Sequence, residues 1–263
     1  MFIFLPPSEG KRSPKENPVA KPVNLAELSF PSLSPARRRI VEQLIIDSTP
    51  PGAEKVFAKL GPKAKLDLAD NLNLLTAPGA AAIDIYDGVL YQATGFQQLK
   101  TELEPAKLNQ VVVFSALWGP VSALDTITKY KLPMSISLTT IGRLGSYWKK
   151  NLPSDLFALD EVLIDCRSSD YAAVWSPQKH PNYASVKVFT EVSGKLKPIS
   201  HNAKYTRGLI TGILLRNTET LRDLADVNRV LQGQVGSLFK SVELFKAKPT
   251  DKTTASQHFM VVV

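Results

Sequence analysis

Three unbroken apolar runs, each closed by a polar or turn-forming cluster, constrain this chain more than any other feature of it. Phe2–Leu5 stops at Pro6-Pro7, and 111–114 (Val-Val-Val-Phe) runs into Ser115-Ala116-Leu117-Trp118-Gly119-Pro120. The third, Val162-Leu163-Ile164 within 161–166, ends in Arg167-Ser168-Ser169-Asp170-Tyr171. A strand with one wet face alternates apolar and polar residues; these do not, so they are predicted to be buried on both faces. Such strands need helices on either side.

The rest of the chain supplies those helices. Ser34-Pro35 forms a helix start, with Ile40, Val41, Leu44 and Ile45 at helical spacing and Arg37, Arg38 and Arg39 on the flank. Helical spacing recurs over 54–60, 63–75, 80–86, 143–158 and 203–216. The runs 186–192 and 196–199 flank Ser193-Gly194, a hairpin signal. The expectation is an α/β (mixed α+β) chain: one mixed sheet flanked by helices, in a single domain over 1–263. Within it, 50–92 is expected to form a small helical lobe and 245–263 a less ordered tail.

Composition then removes function classes. One cysteine, Cys166, excludes an intramolecular disulfide and any cysteine-rich zinc or iron–sulfur site. It is expected to be a buried structural thiol. His180, His201 and His258 stand far apart with no ligand-spaced partner, so no metal and no cofactor is expected. P-loop, G-x-G-x-x-G, G-x-S-x-G and C-x-x-C motifs are absent. No apolar stretch approaches the ~20 residues of a membrane span, and no basic flank of a signal peptide stands at the N-terminus. A cytoplasmic monomer without membrane contact is expected.

The formal charge of +8 suits a polyanionic partner. Lys11 and Arg12 follow the first strand, and Arg167 follows the strand that carries Cys166. Lys204 and Arg207 share one face near the start of a helix, where cations are unfavourable unless an anion lies between them. Leu60-Gly61-Pro62-Lys63, with Lys65 beyond it, resembles the turn of a helix-hairpin-helix, in which backbone amides meet a phosphate. Tyr130-Lys131 and Tyr147-Trp148-Lys149-Lys150 interleave aromatics with cations, as single-stranded nucleic-acid sites do. Lysine and arginine contacts of this kind position a backbone without reading its sequence.

Taken in order, these pieces resemble the YaaA-like peroxide-stress family of bacteria. The carriers are Leu5-Pro6-Pro7-Ser8-Glu9-Gly10-Lys11, Tyr86-Asp87-Gly88-Val89-Leu90 and Ser115-Ala116-Leu117-Trp118-Gly119 with Asp125. Tyr130-Lys131-Leu132 with Met134, Tyr147-Trp148, Ser168-Ser169-Asp170-Tyr171, and Ser200 through Ala203-Lys204 to Arg207-Gly208-Leu209 complete the set. The resemblance implies a fold peculiar to the family, protection against hydrogen peroxide and unincorporated iron, and DNA held in a basic cleft with a helix-hairpin-helix.

Two functions are therefore expected to compete. In one, DNA is held by its backbone through Lys11, Arg12, Gly61, Lys63, Lys65, Lys131, Lys149, Arg167, Lys204 and Arg207, with no chemistry. In the other, an enzyme acts on a phosphorylated or nucleotide substrate, with Ser8, Asp170 and Tyr171 as catalytic residues beside Lys11, Lys204 and Arg207.

Overall fold

A computed structural model describes residues 1–14, 20–177, 179–199, 201–247, 255 and 257–263. Its framework is one eight-stranded mixed sheet. The strands are β1 (Phe2–Leu5), β2 (Val111–Ser115), β3 (Gly119–Ser122), β4 (Leu163–Asp165), β5 (Tyr183–Val192), β6 (Lys195–Pro198), β7 (Ser241–Lys246) and β8 (Gln257–Val262). Their spatial order is β7-β8-β5-β4-β1-β2-β3, with β6 paired to β5.

The three apolar runs become the middle of this sheet. β1 pairs in parallel with β2 on one side (Ile3↔Val111) and with β4 on the other (Ile3↔Ile164). Ile3, Phe4 and Leu5 are fully buried, as an unbroken apolar run requires. The Ser193-Gly194 hairpin forms between β5 and β6, with both turn residues at positive φ (51° and 72°). That twist matches the flanking strands. Within 245–263, where a less ordered tail was expected, Gln257–Val262 lies inside the sheet, parallel to β5 and antiparallel to β7. Residues 248–254 and 256 lie outside the described residues, as does Ser200.

Helices cover the sheet. The main ones are α1 (Ser34–Ser48), α2 (Gly52–Val56), α3 (Pro62–Leu66), α4 (Val89–Thr94), α5 (Leu144–Asn151), α6 (Ser169–Ala172), α7 (His201–Arg216) and α8 (Leu224–Gln232). The helix expected over 143–158 closes at Asn151, before Leu152-Pro153, because the residue ahead of a proline is driven out of the helical region. α7 packs against α4 at two glycines. A Cβ on Gly208 would stand 2.3 Å from the Leu90 carbonyl oxygen, and one on Gly212 would stand 2.8 Å from that of Thr94. Close approach of the two backbones depends on that missing carbon.

Arg37 is the clearest departure from the helix-flank reading. It is wholly buried. Its guanidinium donates to the carbonyls of Trp118 (2.8 Å), Pro120 (2.9 Å), Ser29 (2.6 Å) and Phe30 (3.2 Å). These bonds fix the loop between β2 and β3 against α1. Desolvation lowers its pKa to about 10, opposed by the Asp125 carboxylate, so it stays charged at neutral pH.

Candidate functional site

β1, β2 and β4 run parallel, so the segments that follow them emerge at one edge of the sheet. Polar groups gather there, at the position where open α/β sheets place ligands. Lys11 reaches this edge on the loop after β1. An isolated bridge from Lys11 to Tyr86 and the bond from Arg12 N–H to the Ile85 carbonyl (2.8 Å) seat the loop against 85–87. The Ser8 hydroxyl donates to the Gly10 carbonyl and accepts from the Asp87 N–H at 2.9 Å.

The Lys11 ammonium Nζ donates to the Ser8 carbonyl at 2.8 Å and stands 4.3 Å from the centre of the Tyr130 ring. The Tyr86 ring lies 5.7 Å away. Beneath it, Tyr130 Oη is 3.0 Å from Tyr86 Oη and 2.7 Å from Ser115 Oγ, a buried chain of three hydroxyls. Desolvation raises the pKa of Tyr130 and Tyr86 well above the usual phenol value, so both are neutral donors. Lys131 is buried close by, and its main chain is clasped by the Asn71 amide at 2.8 and 2.9 Å. Asn71 thereby comes to flank the pocket. Asp67, just after α3, faces Lys11 electrostatically, and Asp70 pairs with Lys129 at 3.0 Å.

Tyr171 joins this pocket to an open cleft. Its phenol meets the main chain of Met134 and feels the Tyr130, Glu9 and Asp170 groups; burial raises its pKa. The cleft, of about 530 Å³, is lined by Met134, Ser135, Arg143, Gly145, Ser146, Lys149, Asp170, Ala173 and Val174. Lys149 and Asp170 were both singled out by sequence. Arg143 was not; it stands in extended backbone just ahead of α5, and its place on the cleft wall comes from the tertiary structure and not from helical spacing to Lys149.

The other predicted residues fall elsewhere. Arg167 is corrected: it offers no phosphate contact, because its side chain is completely buried. It is bonded to Asp165, to the carbonyls of Tyr171 and Trp175, and lies 4.1 Å over the Phe114 ring. Arg12 is exposed but pairs with Asp87 at 2.8 Å. Gly61, Lys63 and Lys65 are exposed on a short turn in which α2 and α3 have five residues each. Pro62 opens α3, so the turn has one amide fewer to offer. Lys204 is exposed on the first turn of α7. Arg207 is half-buried, donates to the Val186 carbonyl at 3.1 Å, and leaves its buried Nε without a partner among the described residues. Ser8, Asp170 and Tyr171 form no triad: the Ser8 hydroxyl is engaged by its own loop and Asp170 opens onto the cleft. Cys166 is fully buried, as the structural reading requires.

A family model described as "Peroxide stress protein YaaA" matches residues 1–231. The chain belongs to the YaaA peroxide stress family. A UPF0246 protein of Streptomyces coelicolor is 33% identical over 238 residues, covering 85% of this chain and 90% of its own length. One from Corynebacterium efficiens is 32% identical over 237 residues, covering 87% and 92%. A Campylobacter jejuni protein is 28% identical over 223 residues, covering 82% and 85%. The YaaA match spans every element from β1 through most of α8, so it takes in the Lys11 pocket and the cleft. Among the described residues of this YaaA family member, no helix is long and apolar enough to cross a membrane. No group of three or more His, Cys, Asp or Glu is placed among them to hold a metal ion.

Proposed function

We propose that this peroxide stress protein acts by holding DNA through its phosphate backbone, along the edge of the sheet where the parallel strands end. The observation that carries the reading is the cleft that has Arg143 and Lys149 on its wall and only Asp170 as an opposing carboxylate among its lining residues. Lys63 and Lys65 are exposed on α3, just ahead of Asp67, which acts on Lys11, and they supply further cations for the same backbone. No base-reading element is required: cations on flexible stems contact phosphates and leave sequence unread. The occupant is a strand edge or a single strand rather than an enclosed duplex, given the size of the cleft.

Fluorescence anisotropy with unrelated duplex and single-stranded oligonucleotides over a salt series tests this. Affinity should be similar across sequences and fall steeply with salt. The double variant Arg143→Ser/Lys149→Ser should flatten the log–log salt slope by about 1.4–1.8, at roughly 0.7–0.9 per lost contact. Salt-independent affinity, or no binding at low salt, overturns the reading.

A further inference from the structure

We propose that the Lys11 amine is a nucleophile that condenses with small 2-oxo acids at the carboxyl edge of the sheet. This stands apart from the DNA reading, because it uses the inner pocket and not the cleft wall.

The geometry has three parts. First, Nζ is held in one place, by the Ser8 carbonyl at 2.8 Å and by the face of Tyr130 at 4.3 Å. A neutral amine keeps one N–H on that carbonyl and still has its lone pair free. Second, the residue is only half-buried: its amine is desolvated while part of the residue stays open to solvent. Third, the Tyr86–Tyr130–Ser115 hydroxyl chain lies under it, able to donate and accept protons without ionising.

The groups facing the amine are Lys131, Lys129, Glu9, Asp67, Tyr86 and Tyr130. Burial lowers its pKa to about 7, and the Lys131 charge adds to this against the raising effect of Glu9 and Asp67. A large fraction is therefore neutral at physiological pH, as an amine nucleophile requires. The reaction balances without a co-reactant. The nitrogen lone pair attacks the carbonyl carbon, the carbonyl electron pair moves to oxygen, and a proton passes from nitrogen to that oxygen. The carbinolamine then expels one water to leave the imine. The Lys131 cation beside the amine selects a carbonyl compound that carries its own carboxylate.

The test is reductive trapping on the full chain. The protein is incubated with glyoxylate or with propanal and sodium cyanoborohydride across a pH series, and the modified peptides are quantified by mass spectrometry. Glyoxylate should modify Lys11 at least tenfold faster than the exposed Lys204, with a midpoint near pH 7. Lys131→Met should slow trapping of glyoxylate at Lys11 more than that of propanal, which loses only the share of neutral amine that the Lys131 charge maintained. Lys11 modified no faster than Lys204, or a midpoint in the ordinary lysine range near 10.4, overturns the proposal. Both readouts come from the unmodified sequence, so neither depends on the folding of a variant. Equal slowing of both carbonyl compounds by Lys131→Met overturns the assignment of the substrate class.

Discussion

Arg167 turns back onto Asp165, two residues before it, and closes a two-pronged ion pair inside the protein. Nε donates to Oδ1 at 2.9 Å and Nη2 to Oδ2 at 2.8 Å, with the two side chains 0% and 1% exposed. Tyr183 adds a third bond to Oδ2 at 2.6 Å. Two charges removed from water are tolerable only when geometry and hydrogen bonds are this complete.

Removing one partner should therefore cost far more than any surface ion pair. Arg167→Ala strands the Asp165 carboxylate, and about 3–5 kcal/mol of unfolding free energy should be lost. Urea denaturation measures it. A loss under about 1 kcal/mol, the range of exposed pairs, would show that the pair is not buried.

The same pair sets an acid limit. Burial by itself would raise the Asp165 carboxyl, but the Arg167 charge and the bonds from Arg167 and Tyr183 outweigh it and hold the pKa below the usual 3.8. A carboxyl depressed in the folded state binds its proton more readily unfolded. Its contribution is thus complete above the unfolded pKa and is lost as pH falls through the folded one. Stability should be insensitive to Asp165 at neutral pH and decline below about pH 4. In an Arg167→Met/Asp165→Leu double variant, that part of the acid slope should vanish.

The contact between α7 and α4 rests on Gly208. Gly208→Ala places a carbon 2.3 Å from a main-chain oxygen, which cannot swing away as a side chain can. A loss of about 1–3 kcal/mol is expected from the overpacking. Gly10→Ala, where no atom lies within 4 Å of the new carbon and φ is not positive, is the control and should differ little from the parent. Equal melting temperatures for the two variants would refute the close approach.

Cys166 should be inert to peroxide. Burial pushes its thiol up to about 12, despite the Arg207 charge, so at pH 8 almost none is thiolate. Thiolate is the form that oxidises or attacks disulfides. Ellman's reagent should react with it only after denaturation, and brief peroxide exposure should leave no sulfenic acid. Rapid labelling of the native protein would place the thiol at the surface.

The central strands were legible because their signal is local. A run such as Ile3-Phe4-Leu5 or Val111-Val112-Val113 has no polar face to offer water, so both faces must be covered wherever it lies. Ser193-Gly194 was legible for the same reason: the turn conformation is a property of those two residues. The loop ends were legible as places where function collects. Residues 257–262 were not, because an apolar terminal strand has no meaning until β5 and β7 stand on either side of it.

What the sequence determined by itself, then, is the sheet, its helical cover, the surplus of positive charge and the family. Which cations face water was decided only by the tertiary structure. Lys11 and Lys204 carry the same side chain, yet one lies over a tyrosine ring and the other in solvent. Arg37 and Arg167 read as surface charges until residues distant in the chain close over them: Trp118 and Pro120 for Arg37, Phe114 for Arg167. The reason is physical. Apolar burial follows from a residue's own transfer free energy, whereas a cation is buried only where partners from elsewhere in the chain converge to replace its water.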